Sequence, residues 1–260
     1  MALLTHLIST RWPEVITFVL VFARASGLII SAPFWGSKTV PVLVRVWTAL
    51  LLAVATYPLV GIVSFDGSVS LLSLSMAIAG EIFLGLVLGW TGQLLFAAMR
   101  LAGQQIEIKS GLGLLQLVDP NEGGHSGIFA AFLELTAGLI FFSFNGHHLL
   151  IQALSSSYRI FPPAAEKFGV QLLQGLISST GEIFIIALRV SAPVMIGLLL
   201  SDIVLGIISR AIPQMNVFIV AQPLQFGLVL LLLFLSLPTV VWFFIRQLPQ
   251  PLGLSGFALP

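Results

Sequence analysis

Charged residues are so sparse in this chain that the stretches between them set its architecture. No Asp, Glu, Lys or Arg lies between Arg45 and Asp66, Glu81 and Arg100, Glu134 and Arg159, or Arg210 and Arg246. About 20 apolar residues are enough for a helix to cross the hydrocarbon of a bilayer. Val15–Ala32, interrupted by Arg24, and Val170–Leu200, interrupted by Glu182 and Arg189, join these runs. The pattern predicts about six hydrophobic segments, near 14–32, 42–63, 71–99, 128–154, 170–200 and 217–245. The expected fold class is therefore all-α: a polytopic, membrane-associated helical protein. Composition agrees, with 58% hydrophobic and 8% charged residues in 260, against roughly 25% charged in a soluble domain. With 20 Phe and 5 Trp, so few charges cannot cover a water-exposed surface, which excludes a water-soluble globular enzyme.

Two segments are unusual. Arg24 sits inside the first, and placing it in hydrocarbon costs about 3 kcal/mol, nearly as much as the flanking Val, Ile, Leu and Phe residues return. The charge also argues against a cleavable signal peptide, whose apolar core is short and uncharged. The segment is expected to be retained and to need a protein partner. The last segment, taken as one helix, would span about 44 Å against roughly 30 Å of hydrocarbon. Pro223 and Pro238 offer break points, so a bent or partly extramembrane helix is expected. Loop charge does not orient the chain: Arg11, Arg159, Lys167 and Arg246 fall on one side, Lys38, Arg45, Arg100, Lys109 and Arg210 on the other.

Short connectors are read at 32–41, at 64–70 and from Pro162-Pro163 to Gln171. Residues 103–127, GQQIEIKSGLGLLQLVDPNEGGHSG, form a longer one. Gly111 and Gly113 interrupt any helix there, Asp119-Pro120 marks a turn, and the middle (Leu112, Leu114, Leu115, Leu117, Val118) is apolar. Such a loop cannot sit in water or leave its backbone unpaired in lipid; it must be buried against protein or line a cavity. Composition leaves open whether it moves or only packs.

No constellation for catalysis appears. The Gly111-Leu112-Gly113 stretch lacks the Gly-Lys-Ser/Thr of a phosphate loop. Adjacent His147 and His148 point about 100° apart on a helix and chelate poorly. There is no Gly-x-Ser-x-Gly and no cysteine. A near-neutral net charge of +1 gives no basic face for nucleic acid. Neither an enzyme nor a cofactor is expected. The charges inside the segments, Arg24, Glu81, Glu134, Glu182, Arg189 and Asp202, fit helix or subunit pairing, or a transport relay. Gly85-x-x-x-Gly89 gives the third segment a small-residue face for close helix packing, within the chain or between subunits. From the residues alone, a small-solute secondary transporter using Glu81, Glu134 and Arg189 stands as the alternative to an assembly subunit.

Four stretches together carry a resemblance: FARASGLIISAPFWGSKTVPVLVRVWTALLLA (22–53), GLGLLQLVDP (111–120), FNGHHLLIQALSSSYRIFP (144–162) and SRAIPQMNVFIVAQPLQFGLVLLL (209–232). In order and spacing the chain resembles the FliR/SctT family of type III secretion export-gate proteins, and FNGHH with Tyr158–Pro162 looks closer to the flagellar branch. The resemblance implies a non-enzymatic subunit of the inner-membrane gate at the flagellar basal body. One copy would assemble with five FliP and four FliQ subunits, near FlhB, to pass unfolded flagellar proteins. It further implies a FliP-like part, 1–165, and a FliQ-like hairpin with a C-terminal tail, 170–260, the hairpin turning near Arg210–Asn216. In such proteins the loop after the third segment plugs the pore. Here that loop would be Gly111, Leu112, Gly113, Leu114, Leu115, Leu117, Val118, Asp119 and Pro120, with an aliphatic seal where relatives often carry aromatics.

Overall fold

The computed structural model describes residues 2–37, 39–62, 70–112, 127–164, 170–212 and 217–247. Among them are seven α-helices and no strand: α1 (Ala2–Ser31), α2 (Val42–Thr56, continued by a 3-10 turn at Tyr57–Leu59), α3 (Leu71–Lys109), α4 (Ile128–Ser143), α5 (Gly146–Ile160), α6 (Val170–Ala211) and α7 (Val217–Gln247). Five stretches are long and apolar enough to cross a membrane, and the bent pair α4–α5 makes up to six. The fold is an all-α polytopic membrane protein, as the charge spacing predicts.

Two expectations about boundaries are corrected. The connector 103–127 is helical over its first part, because α3 continues to Lys109. Charge marks Arg100 as a segment end, but Arg100 and Lys109 each find a carboxylate and Glu107 a backbone amide, and so remain in the helix. The segment 128–154 is two helices that meet at 69°. Asn145 adopts φ 55°, ψ 36°, a left-handed conformation that Asn tolerates better than most residues and that stops a right-handed helix. The last segment is one helix: α7 runs through Pro223 and Pro238 over 31 residues. Each proline removes one backbone hydrogen bond, a loss that neighbouring helices make tolerable in membrane spans.

The chain divides into two compact units, one comprising Met1–Gln93 and Asn145–Ile177, the other Leu94–Phe144 and Ser178–Leu248. Helix α1 is the centre of the first unit, with 56% of its apolar window buried, against 17% for α2. Leu20, Val21, Ala25 and Leu28 of α1 are buried, whereas Val42, Leu43, Trp47 and Leu51 of α2 face outward. The α1–α3 crossing is built on glycine. A Cβ on Gly27 would collide with the Ile82 carbonyl, one on Gly85 with the Arg24 carbonyl, and one on Gly89 with Ser31 and the Leu28 carbonyl. The Ser31 hydroxyl donates to the Leu86 carbonyl at 2.9 Å across this contact. The small-residue face of α3 thus packs within the chain, in the close mode expected between membrane helices. Gly85→Leu is expected to destabilise the protein by about 3 kcal/mol through overpacking. Gly206→Leu, where nothing lies within 4 Å, should be nearly silent. Thermal unfolding in detergent would separate the two.

The second unit packs the end of α3 against α4, α6 and α7. Gly103 lies against the Ala130 backbone, and Phe96 meets Phe141 and Phe244 edge-on with centroids 5.5 and 5.9 Å apart. Helices α6 and α7 are antiparallel: Asp202 meets Gln225, and Arg189 meets Phe243.

Candidate functional site

The first unit buries a charge. Arg24 is 0% exposed and Glu81 2%, and the Arg24 Nε donates to Glu81 Oε2 at 2.5 Å. The remaining guanidinium nitrogens donate to the Ser157 hydroxyl at 3.0 Å and to the Phe161 carbonyl at 2.9 Å. The Tyr158 ring stacks on the guanidinium at 4.3 Å, a contact strengthened by desolvation. Glu81 also accepts from the Ala164 amide at 3.0 Å, and the Tyr158 hydroxyl donates to the Val21 carbonyl at 3.3 Å. The cluster therefore ties α1, α3, α5 and the turn after α5 to one point. The partner that the first segment's arginine requires lies inside the chain. Every polar atom named has a mate, the condition under which a buried pair is tolerated.

Charges in the second unit are paired nearer the surface. Arg100 and Glu134 form a two-pronged pair, with Nε to Oε2 at 2.9 Å. Lys109 donates to Asp202 Oδ2 at 2.6 Å while the Gln225 amide donates to Oδ1 at 2.7 Å. The end of α3 is thereby held to both α6 and α7, and Lys109 in the last turn also suits the negative end of the helix dipole. Buried Glu107 accepts from the Phe129 amide at 2.6 Å, placing a carboxylate at the start of α4, where free amides and the dipole favour it. The Ser191 hydroxyl donates to Gln105 at 2.8 Å.

Of the six charges singled out from the sequence, the fold joins Arg24 to Glu81 and gives Glu134 and Asp202 other cations, Arg100 and Lys109. Arg189 lies over the Phe243 ring at 5.9 Å. Glu182 is exposed and forms no ion pair with the described residues. Arg100, Lys109, Glu107 and Tyr158 escape a reading that treats charges as segment ends. For Arg100 and Glu107 the available signal was their i, i+7 spacing, two turns on one helix face.

Gly111 closes α3 with φ +76°, a conformation that favours glycine. A Cβ there would also meet the Gln222 side chain at 2.6 Å. Leu112 follows it. Gly113, Leu114, Leu115, Leu117, Val118, Asp119 and Pro120 lie outside the described residues, as do 213–216 at the expected hairpin turn. The apolar loop thus leaves the helix at a point fixed by the Lys109–Asp202 pair.

Comparison with known proteins assigns the architecture. The family model described as bacterial export proteins, family 1, matches residues 15–250. The chain is 31% identical over 229 residues to the flagellar biosynthetic protein FliR of Bacillus subtilis, covering 86% of each. It is 29% identical over 221 residues to FliR of Escherichia coli, covering 85% of this chain and 84% of the relative. It is 28% identical over 221 residues to the Yop proteins translocation protein T of Yersinia pestis, covering 84% of each. With nearly the whole chain matched and its helices placed as above, this protein belongs to bacterial export proteins, family 1, the family of FliR and its type III secretion counterparts.

Proposed function

We propose that the chain is a subunit of the inner-membrane export gate of a flagellar type III secretion system, located at the basal body and required for flagellum assembly. It forms the channel for unfolded flagellar proteins together with FliP and FliQ, one copy with five and four respectively, in contact with FlhB. It carries no catalytic role, and energy enters elsewhere in the apparatus. The observation that carries this reading is the family match across residues 15–250.

Two features support it. Large apolar side chains stay exposed along α2, α6 and α7, among them Trp47, Phe184, Leu188, Phe234 and Leu235, a surface suited to neighbouring subunits as well as lipid. The antiparallel α6–α7 pair fits a FliQ-like hairpin within 170–260, leaving 1–165 as the FliP-like part. On this reading the segment Gly111–Pro120 is the plug: an apolar constriction stops ions by dewetting, and glycine at its root lets it swing. Of the intramembrane charges, Arg24, Glu81, Glu134 and Asp202 hold helices in place and do not relay ions.

Affinity purification in mild detergent followed by native mass measurement tests the assignment. A fixed complex containing one copy of this chain with FliP and FliQ is expected. Isolation as a self-sufficient monomer that moves a solute in liposomes would sink it in favour of a transporter.

A further inference from the structure

Within the second unit, a cleft of ≈ 390 Å³ lies between α6 and α7, lined from Arg189 to Pro193 on one helix and from Leu232 to Phe243 on the other. Its walls are mostly apolar, with Ser236 and Thr239 among them and Arg189 at one end. There the exposed Arg189 sits over Phe243, and three residues on from Phe243 the exposed Arg246 lies over Trp242 at 5.2 Å. Among the described residues neither arginine forms an ion pair. This end of the cleft is also where the uncharged run of α7 stops, with Trp242 57% exposed. Trp together with Arg at the end of an apolar run marks the level of lipid headgroups. The antiparallel pairing brings Arg189 to that same level although it stands near the middle of α6. Glu182, two turns earlier on α6, then lies beyond the hydrocarbon, where an exposed carboxylate is stable.

The length of the cleft and the cations at its end point to its occupant. From Leu232 to Phe243 is about 16 Å along the helix, the thickness of one leaflet's hydrocarbon, half of roughly 30 Å. A single polymethylene chain matches a groove of that length. The Ser236 hydroxyl on the wall already donates to the Leu233 carbonyl.

We propose that this cleft binds one anionic phospholipid, with its phosphate at Arg189 and Arg246 and an acyl chain along α7 from Phe243 to Leu232. The lipid fills a groove that would otherwise stay open between the two helices and neutralises two cations at the membrane surface.

The test uses the intact complex purified in mild detergent, stripped of lipid by extended washing, and supplied with phosphatidylglycerol or phosphatidylcholine of identical acyl chains. Retained lipid is counted by native mass measurement. Phosphatidylglycerol should be held in preference, and Arg189→Gln or Arg246→Gln should each weaken retention about fivefold, while Arg189→Lys keeps most of it. Thr239→Trp, which fills the cleft from its exposed side, should abolish retention with both arginines intact. Equal retention of the two lipids would overturn the proposal. So would inorganic phosphate displacing the lipid as readily as a second phospholipid does, because the acyl chain would then contribute nothing. Covalent capture of a partner subunit's carboxylate at position 189 in a lipid-free complex would assign the cleft to that subunit. Should Arg189→Gln fail to accumulate, the preference measured on the unsubstituted complex decides.

Discussion

Arg24→Ala should all but remove the protein from the membrane fraction. The substitution leaves the Glu81 carboxylate at 2% exposure without its cation, and strips the Ser157 hydroxyl and the Phe161 carbonyl of their donor. Removing one partner of a buried pair costs about 3–5 kcal/mol, a large share of the roughly 5–15 kcal/mol that holds a typical domain folded. Glu81→Ala should do the same from the other side, and also free the Ala164 amide. The informative variant is the double one. Arg24→Met with Glu81→Met removes both charges, and exchanging a whole buried pair for apolar side chains is often close to neutral. Its steady-state level and detergent unfolding midpoint should recover most of what either single alanine loses. If the double variant is no better than the singles, the hydrogen bonds to α5 matter more than the ion pair.

Removal of Gly111–Val118 is expected to make the inner membrane conduct ions while the complex still assembles. The segment begins where α3 ends, and α3 is held upstream of the cut by Lys109–Asp202 and Glu107–Phe129. Shortening the loop therefore leaves the packed helices intact. Leu114→Gly with Leu117→Gly should give a weaker form of the same leak, since it thins the aliphatic seal without shortening it. Growth under ionic stress and dye or ion uptake in cells would register both. Unchanged conductance in the deletion, with the complex present in normal amount, would remove the plug from the proposal.

How much of this was legible in the sequence depended on the range of the interaction. Helices were legible wherever long apolar runs were bounded by charge, and Arg24 announced a need for a counter-charge by its position in the first of them. Which residue met that need was not legible, because Glu81 is 57 positions away and only the glycine crossing of α1 on α3 brings them together. Treating Arg100 as a segment end hid the last turns of α3, since a hydropathy ruler cannot tell a charge in water from one with a partner. The 69° bend at Asn145 was missed for the opposite reason. No charge marks it, and an apolar count passes through the Asn-Gly pair that stops the helix.

The Arg24 cluster also bears on the order in which the chain is made. Helix α1 leaves the ribosome well before Glu81 exists, and the donors' other acceptors, Ser157 and Phe161, are 133 and 137 residues downstream of Arg24. During that interval a lone arginine in hydrocarbon carries a penalty of about 3 kcal/mol, nearly cancelling the gain from the apolar residues around it. The first helix is therefore only loosely committed to the bilayer until α3 arrives, and the unit locks only when α5 and the turn after it have been synthesised. Early products of translation, ending before residue 161, should be the form of this protein most exposed to membrane proteases.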